Sequence, residues 1–282
     1  MKNEIYEVTR KISYVPSMNT IFIGDCMVNI TKFLSLIILI FYESYIFLTE
    51  FNLNAEKYQS ICFYSYILFL ALFLLSLSMI YIEGPGYLPF FYGDPDNCQK
   101  KNKLGIALTK DDINYAKNHQ LGPNAIFIFS EKRFVLRPNC RDKLTGVFIG
   151  RRNMKFFVQS RIYLFFLIHI FGISFFQSLN KIVFIYGFDF IFWVYILNLI
   201  FFLAYAYISM TNIVELINKL MFNITYLELI LLNDEFSNCF GSKIKCLKEF
   251  FGKDIKMWFL PTPSFGSVSD EYLYISSRTS SL

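Results

Sequence analysis

Cys140 is the residue of this sequence whose type and surroundings best suit a nucleophile in covalent catalysis. It lies between Arg137 and Arg141, and nearby cations favour the thiolate, which is the nucleophilic form of cysteine. Nucleophilic catalysis by a thiol also needs a base that removes its proton. The chain has two histidines, of which only His119 lies in the same loop. Cys140 is therefore a candidate nucleophile that has no base next to it in the sequence.

The elements that carry this loop are predicted to be membrane helices. With 55% hydrophobic and 20% aromatic residues, the chain of 282 residues is too apolar for an ordinary soluble domain. A bilayer core needs about 20 mostly apolar residues per helix, and four windows qualify, at about 30–49, 60–82, 162–179 and 183–208. The first residues are charged and have no apolar signal region, so we expect the first span to stay as an anchor.

The distribution of Lys and Arg predicts the orientation of these spans. Thirteen lie between residues 84 and 160, whereas the two short loops hold one each, Lys57 and Lys181. Because loops rich in Lys and Arg stay on the cytoplasmic side, both termini and the long loop are predicted to be cytoplasmic. We expect an integral, multi-pass protein of a eukaryotic endomembrane or plasma membrane. We interpret its net charge of +5 as this bias together with attraction to the anionic headgroups of membrane lipid. Nucleic-acid binding would need a basic groove with aromatic residues for stacking, and no such segment lies apart from the membrane flanks.

The predicted fold class is an all-α polytopic membrane protein: four transmembrane helices with a cytoplasmic loop domain that contains a small β-hairpin. The hairpin is indicated by β-prone runs at 125–129 and 133–136 around a polar turn. The predicted parts are a cytoplasmic N-terminus at 1–29, transmembrane helices 1 and 2 at 30–82, a cytoplasmic loop domain at 83–161, transmembrane helices 3 and 4 at 162–208, and a cytoplasmic C-terminal tail at 209–282.

The stretch from Phe134 to Asn153, FVLRPNCRDKLTGVFIGRRN, resembles the signature loop of the DHHC family of protein S-acyltransferases, the palmitoyltransferases. The family pattern is Cys-Val-Leu-Arg, one residue, Asp-His-His-Cys, Pro-Trp, a hydrophobic residue, Asn-Asn-Cys-Val-Gly, one residue, then Arg-Asn. The positions that match without a gap are Val135, Leu136, Arg137, Gly150, Arg152 and Asn153. The loop domain at 83–161 thus resembles the family's cysteine-rich domain in a degenerate form.

Four further segments match family motifs in the family's order, so the resemblance covers roughly residues 30 to 262. They are Gly84–Pro89 for Asp-Pro-Gly, Thr225–Glu228 for Thr-Thr-x-Glu, Asn238–Gly252 for the C-terminal motif that ends in Phe-Gly, and Trp258–Pro261 for Trp-Leu-Leu-Pro. The family-motif residues of interest are Arg137, Gly150, Asn153, Thr225, Glu228 and Asn238.

The resemblance implies a catalytic centre whose every role is altered here. In the family the motif Cys takes an acyl chain from fatty acyl-CoA and passes it to a substrate cysteine, with the first His as base and the Asp orienting that His. In the same frame the Asp becomes Asn139 and the two His become Cys140 and Arg141. The nucleophilic Cys becomes Asp142. We expect Asp142 to be a solvated acid beside Arg141 and Lys143.

The resemblance also implies two structural zinc ions, each held by three Cys and one His. In the gapless frame the eight ligand positions fall on Asn114, Lys117, Phe127 and Phe134 for one site, and on Ile128, Glu131, Arg141 and Phe148 for the other. None of these is Cys or His. We therefore expect no metal and no cofactor, with an apolar cluster holding the segment where the family uses zinc.

The predicted function is a DHHC-like, palmitoyltransferase-family membrane protein, catalytically degenerate and kept as a scaffold. Its expected partners are membrane lipid, fatty acyl-CoA, and protein substrates or a partner acyltransferase, but not nucleic acid. Whether it is an enzyme stays open, because an active palmitoyltransferase that uses a displaced nucleophile, Cys140, is one alternative. A second is a small four-span transporter or channel, because Glu43, His169 and Asp189 lie inside predicted spans.

Three cations next to the third predicted span are candidates for binding the phosphates of acyl-CoA. They are Arg151, Arg152 and Lys155. Cations in this position also act as a positive-inside anchor, so the sequence supports both interpretations.

Overall fold

The computed structural model describes residues 12–15, 20–23, 26–53, 59–91, 105–119, 125–143, 145–186, 190–222, 225 and 242–263. The helices are α1 Ile30–Leu53, α2 Gln59–Glu83, α3 Lys110–Asn118, α4 Met154–Tyr186, α5 Phe190–Met221 and α6 Lys243–Phe251, followed by a short 3-10 helix at Ile255–Phe259. The strands are β1 Ile12–Val15, β2 Thr20–Ile23, β3 Cys26–Asn29, β4 Tyr87–Leu88, β5 Ala125–Ile128, β6 Arg133–Leu136, β7 Cys140–Arg141 and β8 Phe148–Ile149.

The chain divides into two compact units, which we call the helical unit and the loop unit. The helical unit consists of Leu34–Leu77 and Phe157–Asn218. The loop unit consists of Met1–Phe33, Ser78–Phe156 and Lys219–Leu282. Each has its own packing.

Aromatic pairs between neighbouring helices hold the helical unit together. Phe47 of α1 stacks on Tyr66 of α2 with ring centroids 3.8 Å apart, and Phe69 of α2 stacks on Phe166 of α4 at 4.9 Å. Because such pairs contribute beyond the area they bury, they fix which faces of these helices meet. Many other apolar side chains of these helices stay exposed, as a surface that contacts lipid requires.

Among the described residues, three helical stretches are long and apolar enough to cross a membrane: Ser60–Glu83, Met154–Ser174 and Phe192–Met221. The second predicted window, at about 60–82, coincides almost to the residue with the apolar helical stretch Ser60–Glu83. Helix α1 runs over 24 residues, and the part of it whose residues are fully described gives a shorter apolar stretch, Ile30–Tyr42.

The helices that contain the third and fourth predicted spans extend beyond the predicted windows. Helix α4 begins at Met154, about two turns before the predicted start at 162. Hydropathy locates the apolar window and not the helix end, and the polar residues at the start of α4 are accommodated by bonds inside the loop unit, described below. Helix α5 likewise runs to Met221, beyond the window predicted to end at 208.

The predicted β-hairpin is confirmed. Strands β5 and β6 pair antiparallel, with Phe127 opposite Phe134, and β4 adds to the other edge of β6, giving the strand order β4-β6-β5. This small sheet has two apolar clusters. One contains Tyr87, Ile106, Val135 and Phe148, and the other contains Leu88, Ala116, Ala125, Phe134 and Leu136. Through Ala116 the second cluster also holds helix α3, whose first turn is closed by a capping box between Thr109 and Asp112.

Two further sheets were not predicted from the sequence. Strands β7 and β8 form a two-stranded antiparallel ribbon in which Cys140 is opposite Ile149. Strands β1, β2 and β3 form a three-stranded antiparallel sheet at the N-terminus, in the segment 1–29 that the sequence marked only as a cytoplasmic N-terminus.

Candidate functional site

Two of the motif segments meet at Gly150. A Cβ at this position would lie 2.4 Å from the carbonyl oxygen of Pro85 and 3.0 Å from that of Leu136. Only glycine allows this approach of three backbone segments. The contact is continued by two hydrogen bonds, from Leu136 N to Gly86 O and from Arg151 N to Leu136 O, both 3.0 Å long. The turn after α2 and the turn before α4 are thereby fixed to strand β6.

Asn153 closes the turn that Gly150 begins. Its Oδ1 accepts a hydrogen bond from Gly150 N at 2.9 Å, and its Nδ2 donates to Phe148 O at 3.0 Å. The side chain is fully buried, and both the oxygen and the nitrogen of its amide are hydrogen-bonded inside the fold. Asn153 therefore sets the exit of β8 into helix α4.

Asp142, at the frame position of the family's nucleophile, is buried and not the solvated acid that the sequence predicted. Its Oδ2 accepts hydrogen bonds from Thr145 N at 2.9 Å and Thr145 Oγ1 at 2.7 Å. The hydroxyl of Tyr81 donates to Thr145 O at 3.0 Å. A carboxylate at the first residue of a turn readily accepts such bonds, and here it holds the turn between β7 and β8. Asp142 is therefore buried because the buried donors of this turn need an acceptor.

Cys140 lies in β7, half-buried, with its Sγ 3.6 Å from the donor Nδ2 of Asn139. Asn139 itself is buried, and its backbone N–H donates to Ile149 O at 2.8 Å. The candidate base, His119, is exposed and stacks on Tyr115 with ring centroids 4.0 Å apart, with Nδ1 3.0 Å from Tyr115 O. Its ring is therefore engaged with its own helix.

A buried polar group lies beside the ribbon. The hydroxyl of Tyr87 donates to Glu131 Oε2 at 2.9 Å, and Arg141 Nε lies 3.9 Å from Glu131 Oε1. Burial raises the pKa of Glu131, and the Tyr87 hydrogen bond and Arg141 offset this in part. Burial and the nearby Glu131 carboxylate raise the pKa of Tyr87 well above its ordinary range. The guanidinium of Arg133 lies 5.5 Å from the Tyr87 ring centroid. Tyr87 and Glu131 thus form a buried hydrogen-bonded pair with two arginines beside it.

Six of the eight residues at the frame positions of the zinc ligands contact one another or a shared apolar cluster, whereas Asn114 and Lys117 are exposed on helix α3. Phe127 and Phe134 form an edge-on aromatic pair, with ring centroids 5.4 Å apart. At the second set of positions, Glu131 faces Arg141, and Ile128 packs against the cluster that contains Phe148. Benzene rings and alkyl groups have no lone pairs to give a metal, and the one carboxylate, Glu131, accepts a hydrogen bond from Tyr87, so neither set of four residues fits a zinc site. An aromatic pair and an ion pair occupy these places.

The three candidate cations for acyl-CoA are all engaged inside the fold. Arg152 Nη2 donates to Glu83 Oε2 in a half-buried ion pair. Lys155 is buried, and its Nζ donates to Thr262 O at 2.9 Å and to Thr262 Oγ1 at 3.4 Å. Arg151 is buried as well. A contact between these cations and CoA phosphates would require the present partners to be released.

The C-terminal motif segment packs on the signature loop. Arg137 has a positive φ of 43° and is buried, with its guanidinium 4.7 Å from the ring centroid of Phe250 in α6. Trp258 donates from Nε1 to Gly252 O at 3.0 Å, and its ring centroid is 5.3 Å from that of Phe251. Together with the Lys155–Thr262 bonds, these contacts fix residues 242–263 to the loop unit.

The remaining predicted residues are not brought to this site by the described part of the chain. Thr225 is fully buried. Glu228, Asn238 and Asp189 lie outside the described residues, as does the side chain of Glu43. His169 is exposed, and its Nδ1 lies 2.8 Å from the carbonyl oxygen of Phe165, one turn earlier in the helix.

Sequence reasoning did not identify Glu131, Tyr87 or Thr145 as partners. The Asp142 to Thr145 spacing, followed by Gly146, is a turn signal that could have been recognised. No local sequence pattern predicts the contact between Tyr87 and Glu131, because 44 residues separate them.

Within the described residues, no group of three or more His, Cys, Asp or Glu side chains is placed to hold a metal ion. A scan against protein-family models and a search of curated proteins both gave no match to this chain.

Proposed function

We propose that this chain is a DHHC-like membrane protein that has lost the acyltransferase centre and acts as a scaffold that binds lipid, fatty acyl-CoA or a protein partner. The observation that carries this proposal is the role of Asp142. At the position of the family's nucleophile stands a buried carboxylate whose Oδ2 accepts two hydrogen bonds from Thr145. A group held in this way supports a turn and is not presented to a thioester.

The replacement of the zinc positions supports the same proposal. Phe127 contacts Phe134, its partner across the hairpin, and Glu131 faces Arg141. The loop is then held by apolar burial, worth about 1.5–3 kcal/mol for each large side chain, where the family uses metal.

The motif segments that meet at Gly150 are a second support. The turn after α2, strand β6 and the start of α4 are far apart in sequence, and each carries part of the resemblance. Their backbones approach so closely at Gly150 that no Cβ fits. The proposal includes a fourth membrane span, formed by α1 at the beginning of the chain. It also includes a cytoplasmic location for both termini and for the loop unit, which follows from the distribution of Lys and Arg.

The experiment is to supply the purified full chain with labelled fatty acyl-CoA and to look for a hydroxylamine-sensitive acyl intermediate. Thioester formation is the step that defines covalent catalysis by a cysteine. We expect no label on the loop and no transfer to an added substrate protein. Two matched controls are Cys140→Ala, in the ribbon, and Cys246→Ala, in α6, where the thiol is buried.

Label that disappears in Cys140→Ala, persists in Cys246→Ala and passes to a substrate protein would refute the proposal, since Cys140 would then be a displaced nucleophile. Label on Cys140 that is never transferred would fit a scaffold whose loop carries an acyl anchor. Binding of acyl-CoA without labelling, measured by calorimetry, would identify the ligand of the scaffold.

A further inference from the structure

The end of the C-terminal segment exposes an unusual run of apolar side chains. In and just after the 3-10 helix, Ile255, Met257, Phe259 and Leu260 are each 45% exposed or more, and Phe259 is 71% exposed. Isolated exposed apolar residues are ordinary, but a contiguous group marks a surface that contacts something other than water.

The same run is cationic. Lys253 and Lys256 are exposed within it, and residues 242–263 contain five lysines against two carboxylates, Glu249 and Asp254. Apolar side chains interleaved with lysines are the composition of segments that lie in the interface of an anionic bilayer. We call residues Lys253–Leu260 the C-terminal patch.

The patch ends against the start of a candidate membrane span. Lys155 is the second residue of helix α4, whose Met154–Ser174 stretch is apolar enough to cross a bilayer. Its Nζ is bonded to Thr262 O and Oγ1, two residues after the patch. The first turn of a span lies at the level of the lipid headgroups, so this bond holds the end of the patch at that level.

The inner side of the segment is packed, so the exposed side chains do not come from an unfolded tail. Phe250 is fully buried beneath the Arg137 guanidinium, and Trp258 is fixed by its bond to Gly252 O. A rigid segment with a packed side and an exposed apolar side loses little conformational entropy when it enters an interface.

We propose that the C-terminal patch is an interfacial membrane contact: its four exposed apolar side chains enter the boundary between headgroups and acyl chains, and Lys253 and Lys256 pair with the phosphates of anionic lipid. The contact needs the chain to be anchored in a bilayer. It does not depend on the family resemblance or on the loss of acyl transfer.

The test measures the depth of a tryptophan at position 259 in the full chain. The two native tryptophans, Trp193 and Trp258, are replaced by Phe, and Phe259→Trp is introduced. Because Trp258→Phe removes the bond to Gly252 O, an unfolding temperature equal to the parent's is first required to show that the segment keeps its packing. The protein is reconstituted in vesicles of brominated phosphatidylcholine with and without phosphatidylserine. The matched control is Leu108→Trp in the same background, because Leu108 is 50% exposed elsewhere on the loop unit.

A positive control keeps Trp193, which is 59% exposed in the Phe192–Met221 stretch, as the only tryptophan. We expect the Phe259→Trp chain to be quenched about twofold by brominated lipid and shielded from aqueous acrylamide, more so with phosphatidylserine. Adding Lys253→Glu and Lys256→Glu should remove the phosphatidylserine effect. The Leu108→Trp chain should show the reverse: quenching by acrylamide and none by lipid.

Three results would overturn the proposal. Quenching of the Phe259→Trp chain by acrylamide but not by lipid would place the patch in water. Shielding from both quenchers would mean that protein, such as a second copy of the chain, covers it. Absence of lipid quenching in the Trp193 control would remove the membrane anchorage that the contact needs, while the acyl-transfer experiment would remain interpretable by itself.

Discussion

Replacing Gly150 by alanine is the perturbation that most directly tests how the motif segments are held together. A Cβ at Gly150 would lie 2.4 Å from Pro85 O, 3.0 Å from Leu136 O and 3.0 Å from Pro85 Cβ. Real Cβ atoms essentially never approach closer than 3.0 Å. The Pro85 carbonyl must therefore move by at least 3.0 − 2.4 = 0.6 Å, and it belongs to the backbone, which cannot rotate away as a side chain can.

The expected cost has two parts. Overpacking of a tight site typically costs about 1–3 kcal/mol. A displaced Pro85–Gly86 backbone also weakens the hydrogen bond from Leu136 N to Gly86 O, now 3.0 Å long, and a lost hydrogen bond of this kind costs about 1 kcal/mol. We expect Gly150→Ala to lower the free energy of unfolding of the loop unit by about 3 kcal/mol.

The assay uses a variant in which every cysteine except Cys246 is replaced. The thiol of Cys246 is buried in the same unit, so it reports the unfolding of that unit. A thiol-reactive dye reports its exposure during heating in detergent. For a unit of this size, a loss of about 3 kcal/mol lowers the midpoint temperature by roughly 6–12 °C.

The matched control is Gly172→Ala in helix α4, where an added Cβ has no neighbour within 4 Å. In a helix interior alanine is preferred over glycine by about 1 kcal/mol, so this variant should unfold at the same temperature or higher. A Gly150→Ala midpoint within about 2 °C of the parent would refute the close-approach argument.

Four further outcomes are expected. Because burial raises the pKa of Glu131, the stability it contributes is fully present at low pH and is lost as pH rises through the raised pKa. The unfolding temperature of Glu131→Gln relative to the parent should therefore increase from about pH 4 to about pH 8, and a constant difference would contradict the burial argument. Phe134→Ala should cost about 3–5 kcal/mol in thermal or denaturant unfolding, and Phe129→Ala, at an exposed ring, less than about 1 kcal/mol. Metal analysis should find no stoichiometric zinc and a chelator should leave the unfolding temperature unchanged; one or two tightly held zinc ions per chain would show that the frame is wrong. A glycosylation acceptor near Lys57 should be modified and one near Lys117 should not, and modification at the second position would overturn the topology.

The parts of the fold that the sequence predicted are those with a strong local signal. The hairpin at 125–136 follows from two β-prone runs around a polar turn, and its register places Phe127 opposite Phe134. The long apolar helix that contains Ser60–Glu83 follows from an unbroken apolar window. In both cases the residues that make the element are adjacent in the sequence.

The parts that the sequence did not predict depend on contacts between distant residues. Asp142 looked like a solvated acid because its sequence neighbours are Arg141 and Lys143. Its burial depends on the turn that Thr145 closes and on the hydroxyl of Tyr81, 64 residues from Thr145. The start of α4, which precedes the predicted apolar window, also depends on a distant residue, because the carbonyl that accepts from Lys155 belongs to Thr262.

The six positions that match the family frame have structural roles in this chain that are independent of catalysis. Val135 and Leu136 are fully buried in β6, and Arg137 stacks on Phe250. Gly150 permits a backbone approach that no other residue allows, Arg152 pairs with Glu83, and Asn153 joins Gly150 to Phe148. The altered positions are those that would handle a proton, a thioester or a metal. A match confined to the first set is therefore informative about the path of the backbone and carries no information about acyl transfer, so the activity must be tested at Cys140 itself.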